Sequence, residues 1–211
     1  FTIDSSTITG NISNMVASRI SHEFNLTGPS LTIDTACSSS LVAVHLACES
    51  LNKKECDMVF AGGVNLNLAP SIFLMMEAAQ VISKTGKCVP FSELSDGIIL
   101  GEGAGFVLLR RLDEAIKDGN PILSMIKGSG MNNDGHSLGI MTPSWKGQLS
   151  LLQSVYSKSG YDPAKISLIE AHGTSTPIGD SIEITVLQRF FSNQKNILSI
   201  GSVKSNIGHL L

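Results

Sequence analysis

The sequence has no long basic run, and its formal net charge is −3. A nucleic-acid surface ordinarily shows as a basic stripe, so that class of partner is not expected. No apolar stretch reaches the roughly 18 residues of a membrane span, and no basic-then-apolar leader is visible at the start. Cysteine is sparse. Cys37, Cys48, Cys56 and Cys88 show neither C-x-x-C nor finger spacing, which points to reduced thiols in a cytoplasmic setting. Charged residues make up only 16% of the chain against 42% hydrophobic, so a packed core is expected rather than extensive disorder. The 211 residues suffice for one large domain or two small ones, with no low-complexity segment or short repeat. Phe1 is not an initiator methionine, and nothing that closes a fold follows His209 before Leu211. A segment cut from a longer polypeptide is expected, inactive and poorly folded when made alone.

The most informative stretch is Asp34-Thr35-Ala36-Cys37-Ser38-Ser39-Ser40. Leu31-Thr32-Ile33 before it alternates like a strand, and Leu41, Val44, Cys48 and Leu51 after it recur at helical spacing. Cys37 is thus predicted where a strand turns sharply into a helix. The serines suit a helix entry because their hydroxyls can accept from unpaired backbone N–H groups. The positive end of a helix favours thiolate over thiol, which should lower a free cysteine's ordinary pKa of ~8.5. Two readings follow: an activated nucleophile, or a small buried hydrophobe of the kind most lone cysteines are.

Along the chain, residues 11–24 carry an amphipathic helical pattern, and the helix after Cys37 runs to about Asn52, apolar enough to be buried. Strands are predicted at 57–61, 106–109, 122–127, 166–171 and 197–203, and helices at 71–82, 112–118, 144–158 and 181–191. Lys84-Thr85-Gly86-Lys87 lacks the remaining residues of a phosphate loop. Gly97, Gly101, Gly103 and Gly105 precede a strand and do not join strand to helix. They read as turns and close backbone approaches rather than a dinucleotide fingerprint. The alternation of strands and helices argues for α/β layers, in two related halves joined near residue 120.

Cys37, His172 and His209 all fall just past predicted strand ends, where sites form in open α/β sheets. His45 reads as a core or near-core histidine, and His22 and His136 as surface residues. Metal binding is disfavoured, because there is no H-x-x-x-H spacing and no acidic partner nearby.

Three blocks carry a resemblance. They are Asp34 to Leu41, Glu170-Ala171-His172-Gly173-Thr174-Ser175-Thr176-Pro177-Ile178-Gly179-Asp180, and Gly201-Ser202-Val203-Lys204-Ser205-Asn206-Ile207-Gly208-His209. In this order they resemble the active-site blocks of β-ketoacyl synthases, in wording most like the ketosynthase domains of modular type I polyketide synthases. The resemblance implies a thiolase-like layered α/β fold of two pseudo-equivalent halves, here truncated at both ends. Residues 1–119 would belong to the N-terminal half with the nucleophile, and 120–211 to the C-terminal half with the two histidines. The family's late glycine-rich, phenylalanine-gated loop would be missing.

The same resemblance implies decarboxylative Claisen condensation in polyketide or fatty acid elongation. Cys37 would hold the acyl chain. His172 and His209 would assist malonyl decarboxylation and stabilise the enolate. Lys204 would order the site, and Thr174 and Thr176 would bind the phosphopantetheine arm of an acyl carrier protein. No cofactor of the domain's own and no metal are implied. The implied partners are the carrier protein, an acyltransferase in cis or in trans, and a second copy in a homodimer. The alternative is a non-condensing ketosynthase-like domain that binds or passes on acyl chains, although such domains usually lose the cysteine or a histidine. Ser175 stands where many polyketide synthases have glycine, Ser92 where aspartate is usual after Phe91, and Leu100 where a basic residue is frequent.

Overall fold

A computed structural model describes residues 3–193 and 196–211. The chain forms two compact units, each assembled from two separate stretches. The first comprises the residues up to Gly63 together with Gly105–Met125, and the second Val64–Ala104 together with Ile126–Leu211.

In the first unit, the amphipathic pattern at 11–24 forms helix α2 (Met15–Glu23), and a separate short helix, α1 (Thr7–Asn11), precedes it. Helix α3 (Ser39–Asn52) follows Cys37, and strand β1 (Met58–Asn65) follows α3. The third helix lies near β1 at its start: a Cβ added to Gly63 would sit 3.0 Å from Ser40 Cβ, so a side chain there would push the helix off the strand. Only Ala47 and Leu51 of α3 are fully buried, and Leu41 is exposed, against the expectation of a helix covered on most sides. After α4 (Pro70–Ala78), which belongs to the second unit, strand β2 (Gly103–Arg110) pairs with β1, and α5 (Leu112–Lys117) follows it. The acidic first turn and basic last residue of α5 complement the helix dipole.

Arg111 ties the first unit together. Its guanidinium donates to the carbonyls of Leu51 (3.0 Å) and Cys56 (2.6 Å), to Asp57 Oδ1 (2.7 Å) and to Glu114 Oε1 (2.8 Å). The end of α3, the approach to β1 and the start of α5 therefore share one planar fork of donors, a geometry that lysine does not reproduce.

In the second unit, α4 (Pro70–Ala78) begins with proline at its first turn, where the missing N–H costs nothing. Helix α6 (Trp145–Ser159) is capped as expected by Ser144, whose Oγ accepts from Gly147 N–H at 3.2 Å. Strand β3 (Leu168–Glu170) and strand β4 (Ser199–Gly201) run parallel in register, with α7 (Pro177–Phe190) between them in the chain. Parallel pairing brings the carboxyl ends of both strands to the same edge. A last short helix, α8 (Lys204–Ile207), starts just beyond β4. The core of this unit is Ala171, Leu187 and Phe191, with Leu152, Tyr156, Ile169, Phe190 and Ile200 packed against it. Three rings interlock there: Phe190 and Phe191 at 4.9 Å between centroids, Tyr156 and Phe190 at 5.0 Å, and Tyr156 and Phe191 at 6.0 Å.

Two expected strands do not form. Residues 31–33 and 122–127 find no ladder partner among the described residues, so their apolar alternation is not converted into a sheet. Between them, Gly97 bears out a close approach. Its φ is +148°, and a Cβ there would lie 2.6 Å from the backbone of Ile82 and Ser83.

Since Phe191 is only 8% exposed and edges both neighbouring rings, Phe191→Ala is expected to lower stability by about 3–5 kcal/mol, read from the urea unfolding midpoint. A loss below about 1 kcal/mol, the size of an ordinary surface substitution, would show that this ring cluster does not hold the second unit.

Candidate active site

Cys37, His172 and His209 sit on stretches held by hydrogen bonds to the backbone. In the first unit, Cys37 lies two residues before α3 and is exposed, which removes the reading of a buried hydrophobe. Ala36 before it holds a left-handed φ of +54°. The serine run does not cap the helix in the expected way. Ser38 occupies the N-cap position without a side-chain capping bond. Its Oγ instead donates back to the carbonyl of Thr35 at 3.0 Å. Ser39 Oγ accepts from Thr35 N–H at 2.9 Å and donates to the carbonyl of Ala36 at 2.7 Å. These hydroxyls brace the turn that enters the helix rather than the helix's own first N–H groups. Cys48, Cys56 and Cys88 are all half-buried. Burial, with Glu49 adding to it, pushes the Cys48 thiol up. Burial and then Asp180 push the Cys88 thiol up, against an opposing contribution from Lys204.

The second unit brings together His172, His209, Lys204, Thr174 and Thr176. His172 lies two residues beyond β3, and His209 follows α8. Their rings meet edge to face with centroids 5.5 Å apart. The His209 backbone is clamped on both sides: its N–H donates to the Ile99 carbonyl at 2.6 Å, and its own carbonyl accepts from Gly101 N–H at 2.8 Å. The His172 turn is held by Glu183 of α7, whose two carboxylate oxygens accept from the N–H groups of His172 (2.7 Å) and Gly173 (2.8 Å). Ser202 Oγ donates to the Gly173 carbonyl at 3.1 Å. Glu170 Oε1 accepts from Val203 N–H at 2.7 Å, tying the end of β3 to the start of α8.

The sequence reading gave no role to Asp180 or Glu183. Asp180, only 4% exposed, accepts from Phe91 N–H at 2.7 Å and Ser175 N–H at 3.1 Å. Both of those residues have left-handed φ, +61° and +65°. Ser175 Oγ accepts from Val89 N–H at 3.0 Å, a bond that glycine at this position could not make. The available signal was spacing: Asp180 and Glu183 are three apart on α7, so both face the same side of the helix. The hydroxyls of Thr174 and Thr176 bond each other at 2.9 Å. His22 and His136 are exposed and His45 half-buried, as expected.

Both histidines are held neutral. Burial is the main cause that pulls His209 down to about 4, with His172 and Lys204 adding repulsion. Although His172 remains accessible to solvent, the atoms crowding it still disfavour its cation. Lys204 lowers its pKa further, and Asp180 opposes both effects. Folding thus keeps His209 uncharged where a free imidazole, at about 6.5, would take a proton. The unfolded chain binds more protons in that window, so stability falls as pH drops from 6.5 towards 4. Neutral imidazoles can each offer one N–H donor and one acceptor nitrogen.

Comparison with known proteins gives the family and the fold. The family described as "Beta-ketoacyl synthase, N-terminal domain" matches residues 2–115, and "Beta-ketoacyl synthase, C-terminal domain" matches residues 123–211. The chain is 46% identical over 204 residues to a phenolphthiocerol/phthiocerol polyketide synthase of Mycobacterium tuberculosis, covering 96% of this chain and 9% of that protein. It is 44% identical over 205 residues to a polyketide synthase of Bacillus subtilis, covering 96% of this chain and 4% of that protein. Among solved structures, the ketosynthase from module 6 of the bacillaene synthase of Bacillus subtilis superposes with a TM-score of 0.93 at 45% identity. That match covers 96% of this chain and 36% of that one. The oxazolomycin ketosynthase domain of Streptomyces albus gives 0.91 at 37% identity, covering 97% and 37%. The chain therefore spans about a tenth or less of its curated relatives and little more than a third of the solved ketosynthases. With both family domains matched in order and the fold shared, the chain belongs to the β-ketoacyl synthase family and has the thiolase-like α/β fold of polyketide synthase ketosynthase domains.

Proposed function

We propose that this chain carries out decarboxylative Claisen condensation in polyketide or fatty acid elongation, as part of a longer protein. The observation that carries the reading is the pair of edge-to-face histidines, one just beyond β3 and one just beyond α8, whose pKa values are lowered so that the neutral form is favoured. Cys37 attacks the acyl thioester of a carrier protein. Its sulfur bonds the acyl carbon, the carrier's C–S bond breaks, and the freed carrier thiolate takes up a proton. The backbone N–H of Cys37 helps stabilise the oxygen on which charge develops. A malonyl thioester on the carrier's phosphopantetheine arm then loses carbon dioxide. The electron pair of the broken C–C bond becomes an enolate, which N–H donors of neutral His172 and His209 stabilise. The enolate carbon bonds the acyl carbon on Cys37, and the Cys37 C–S bond breaks, leaving a β-ketoacyl carrier and a free thiolate.

Lys204 is half-buried beside the histidines and adds to the field that keeps them neutral. Thr174 and Thr176 supply hydroxyls for the phosphopantetheine arm. The domain needs no cofactor or metal of its own in this scheme. Its partners are an acyl carrier protein, an acyltransferase in cis or in trans, and a second copy in a homodimer. The half with the nucleophile spans residues 1–119 and the half with the histidines 120–211. No helix among the described residues is long and apolar enough to cross a membrane, and a cytoplasmic setting fits the reduced cysteines.

The half-reactions separate the roles. In the full-length protein, His209→Ala is expected to leave acyl loading in place while condensation falls about 100- to 1,000-fold, the usual effect of removing one oxyanion donor. Cys37→Ala is expected to abolish loading and retain some malonyl decarboxylation. Acyl-enzyme, carbon dioxide and β-ketoacyl product are followed separately. Unmodified protein that loads acyl groups but forms no β-ketoacyl product would favour binding without extension.

The pH dependence follows from the histidines. Decarboxylation is expected to stay level down to below pH 6.5, because both histidines titrate below their ordinary value. Lys204→Met removes a cation that lowers both, so the acid limb of the pH–rate profile is expected to move to higher pH. An acid limb that stays in place in this variant would contradict the charge assignment.

A further inference from the structure

We infer that Ser39 is a positioning residue for Cys37, acting by locking Ala36 in its left-handed conformation. This deepens the proposed function and rests on the nucleophile role given there to Cys37. Ala36 is not glycine, yet its φ is +54°, a region where Cβ crowds the following carbonyl and which non-glycine residues enter only when their surroundings impose it. Two of the imposing contacts converge on one hydroxyl. Ser39 Oγ accepts from Thr35 N–H at 2.9 Å, on the near side of Ala36, and donates to the Ala36 carbonyl at 2.7 Å. The same carbonyl also accepts from Ser39 N–H at 2.9 Å. Asp34 Oδ1 holds the Ala36 N–H at 3.0 Å. The Thr35 N–H and the Ala36 carbonyl, which flank Ala36, are thereby both held by the first residue of α3, and the Ala36 N–H is held by Asp34.

The consequence bears on Cys37 because its N–H belongs to the peptide whose carbonyl is that of Ala36. Holding this carbonyl against Ser39 sets the plane of the Ala36–Cys37 peptide, and with it the direction of the Cys37 N–H and Cα–Cβ bonds. Relaxation of Ala36 to an ordinary φ would rotate both. Ser38 does not duplicate the lock: its hydroxyl reaches the Thr35 carbonyl and Thr35 Oγ1 at 3.0 Å each, and not Ala36. Hydroxyl chemistry at position 39 is therefore required for reactivity at position 37, and not for helix initiation.

The test uses iodoacetamide on the full-length protein, with Cys37 adducts quantified by mass spectrometry across a pH series. Ser39→Ala is expected to slow Cys37 alkylation about five- to tenfold, the scale of one or two lost hydrogen bonds, and to move the midpoint of the alkylation–pH curve upward. Ser39→Thr keeps the hydroxyl and is expected to restore the rate and the midpoint. Ala36→Gly added to Ser39→Ala is expected to recover most of the rate, because glycine takes left-handed φ without penalty. If Ser39→Ala lowers the melting temperature but leaves the rate and midpoint unchanged, the residue is merely structural and the inference fails. A double variant as slow as Ser39→Ala alone also overturns it, since the effect would not run through Ala36. Failure of Cys37 to react in the unmodified protein would instead overturn the nucleophile reading, and the positioning role with it.

Discussion

The carboxylate of Glu183 holds the histidine turn in place. It accepts from two consecutive backbone N–H groups, those of His172 and Gly173, at the point where the chain leaves β3 and has no strand partner to offer them. Hydrogen bonds to a charged group are each worth roughly 1.5–3 kcal/mol, and without them two donors next to the reactive ring would be left to water. One turn earlier on α7, buried Asp180 does the same for Phe91 and Ser175, whose left-handed backbones it stabilises. The helix is anchored through Leu187, with Phe191 just past its end, in the aromatic core of its unit. Asp180, Glu183 and Leu187 recur at i, i+3 and i+7, so one face of α7 both packs into the core and restrains the loop backbones.

The electrostatics depend on that geometry. Two imidazoles at 5.5 Å with a lysine nearby could not all carry charge at low cost. Burial of His209 resolves the conflict in favour of the neutral form, and Lys204 enforces it on both rings. A pair fixed in this way offers hydrogen-bond donors without offering strong acids, which suits stabilisation of an enolate better than its immediate protonation. The cost appears in acid, where the unfolded chain takes up a proton that the folded His209 still refuses, so stability falls.

Much of this could be read from the sequence because the relevant signals are local. The helix after Cys37, the Ser144 cap, β3, β4 and the placement of His172 and His209 beyond them depend on periodicity and capping within a few residues. The failures lie where a distant partner decides. Residues 31–33 and 122–127 alternate like strands, but a strand exists only beside another, and none pairs with them among the described residues. The serines after Cys37 were legible as hydroxyls at a helix entry, but not the direction of their bonds, which the left-handed turn at Ala36 sets. Asp180, just before the predicted helix at 181–191, and Glu183 within it carried no local sign of their partners. Their partners Phe91, Ser175, His172 and Gly173 lie on loops whose approach no local pattern encodes.

The central claim is that Cys37 carries the acyl chain. Incubating the full-length protein briefly with a short acyl-pantetheine thioester, quenching in acid and mapping the acyl mass onto peptides tests it directly. The account predicts the added mass on the peptide containing Cys37 and its discharge when malonyl-carrier protein is added. Acylation at Cys56 or Cys88 with Cys37 unmodified, or an adduct on Cys37 that malonyl-carrier protein does not discharge, would contradict it.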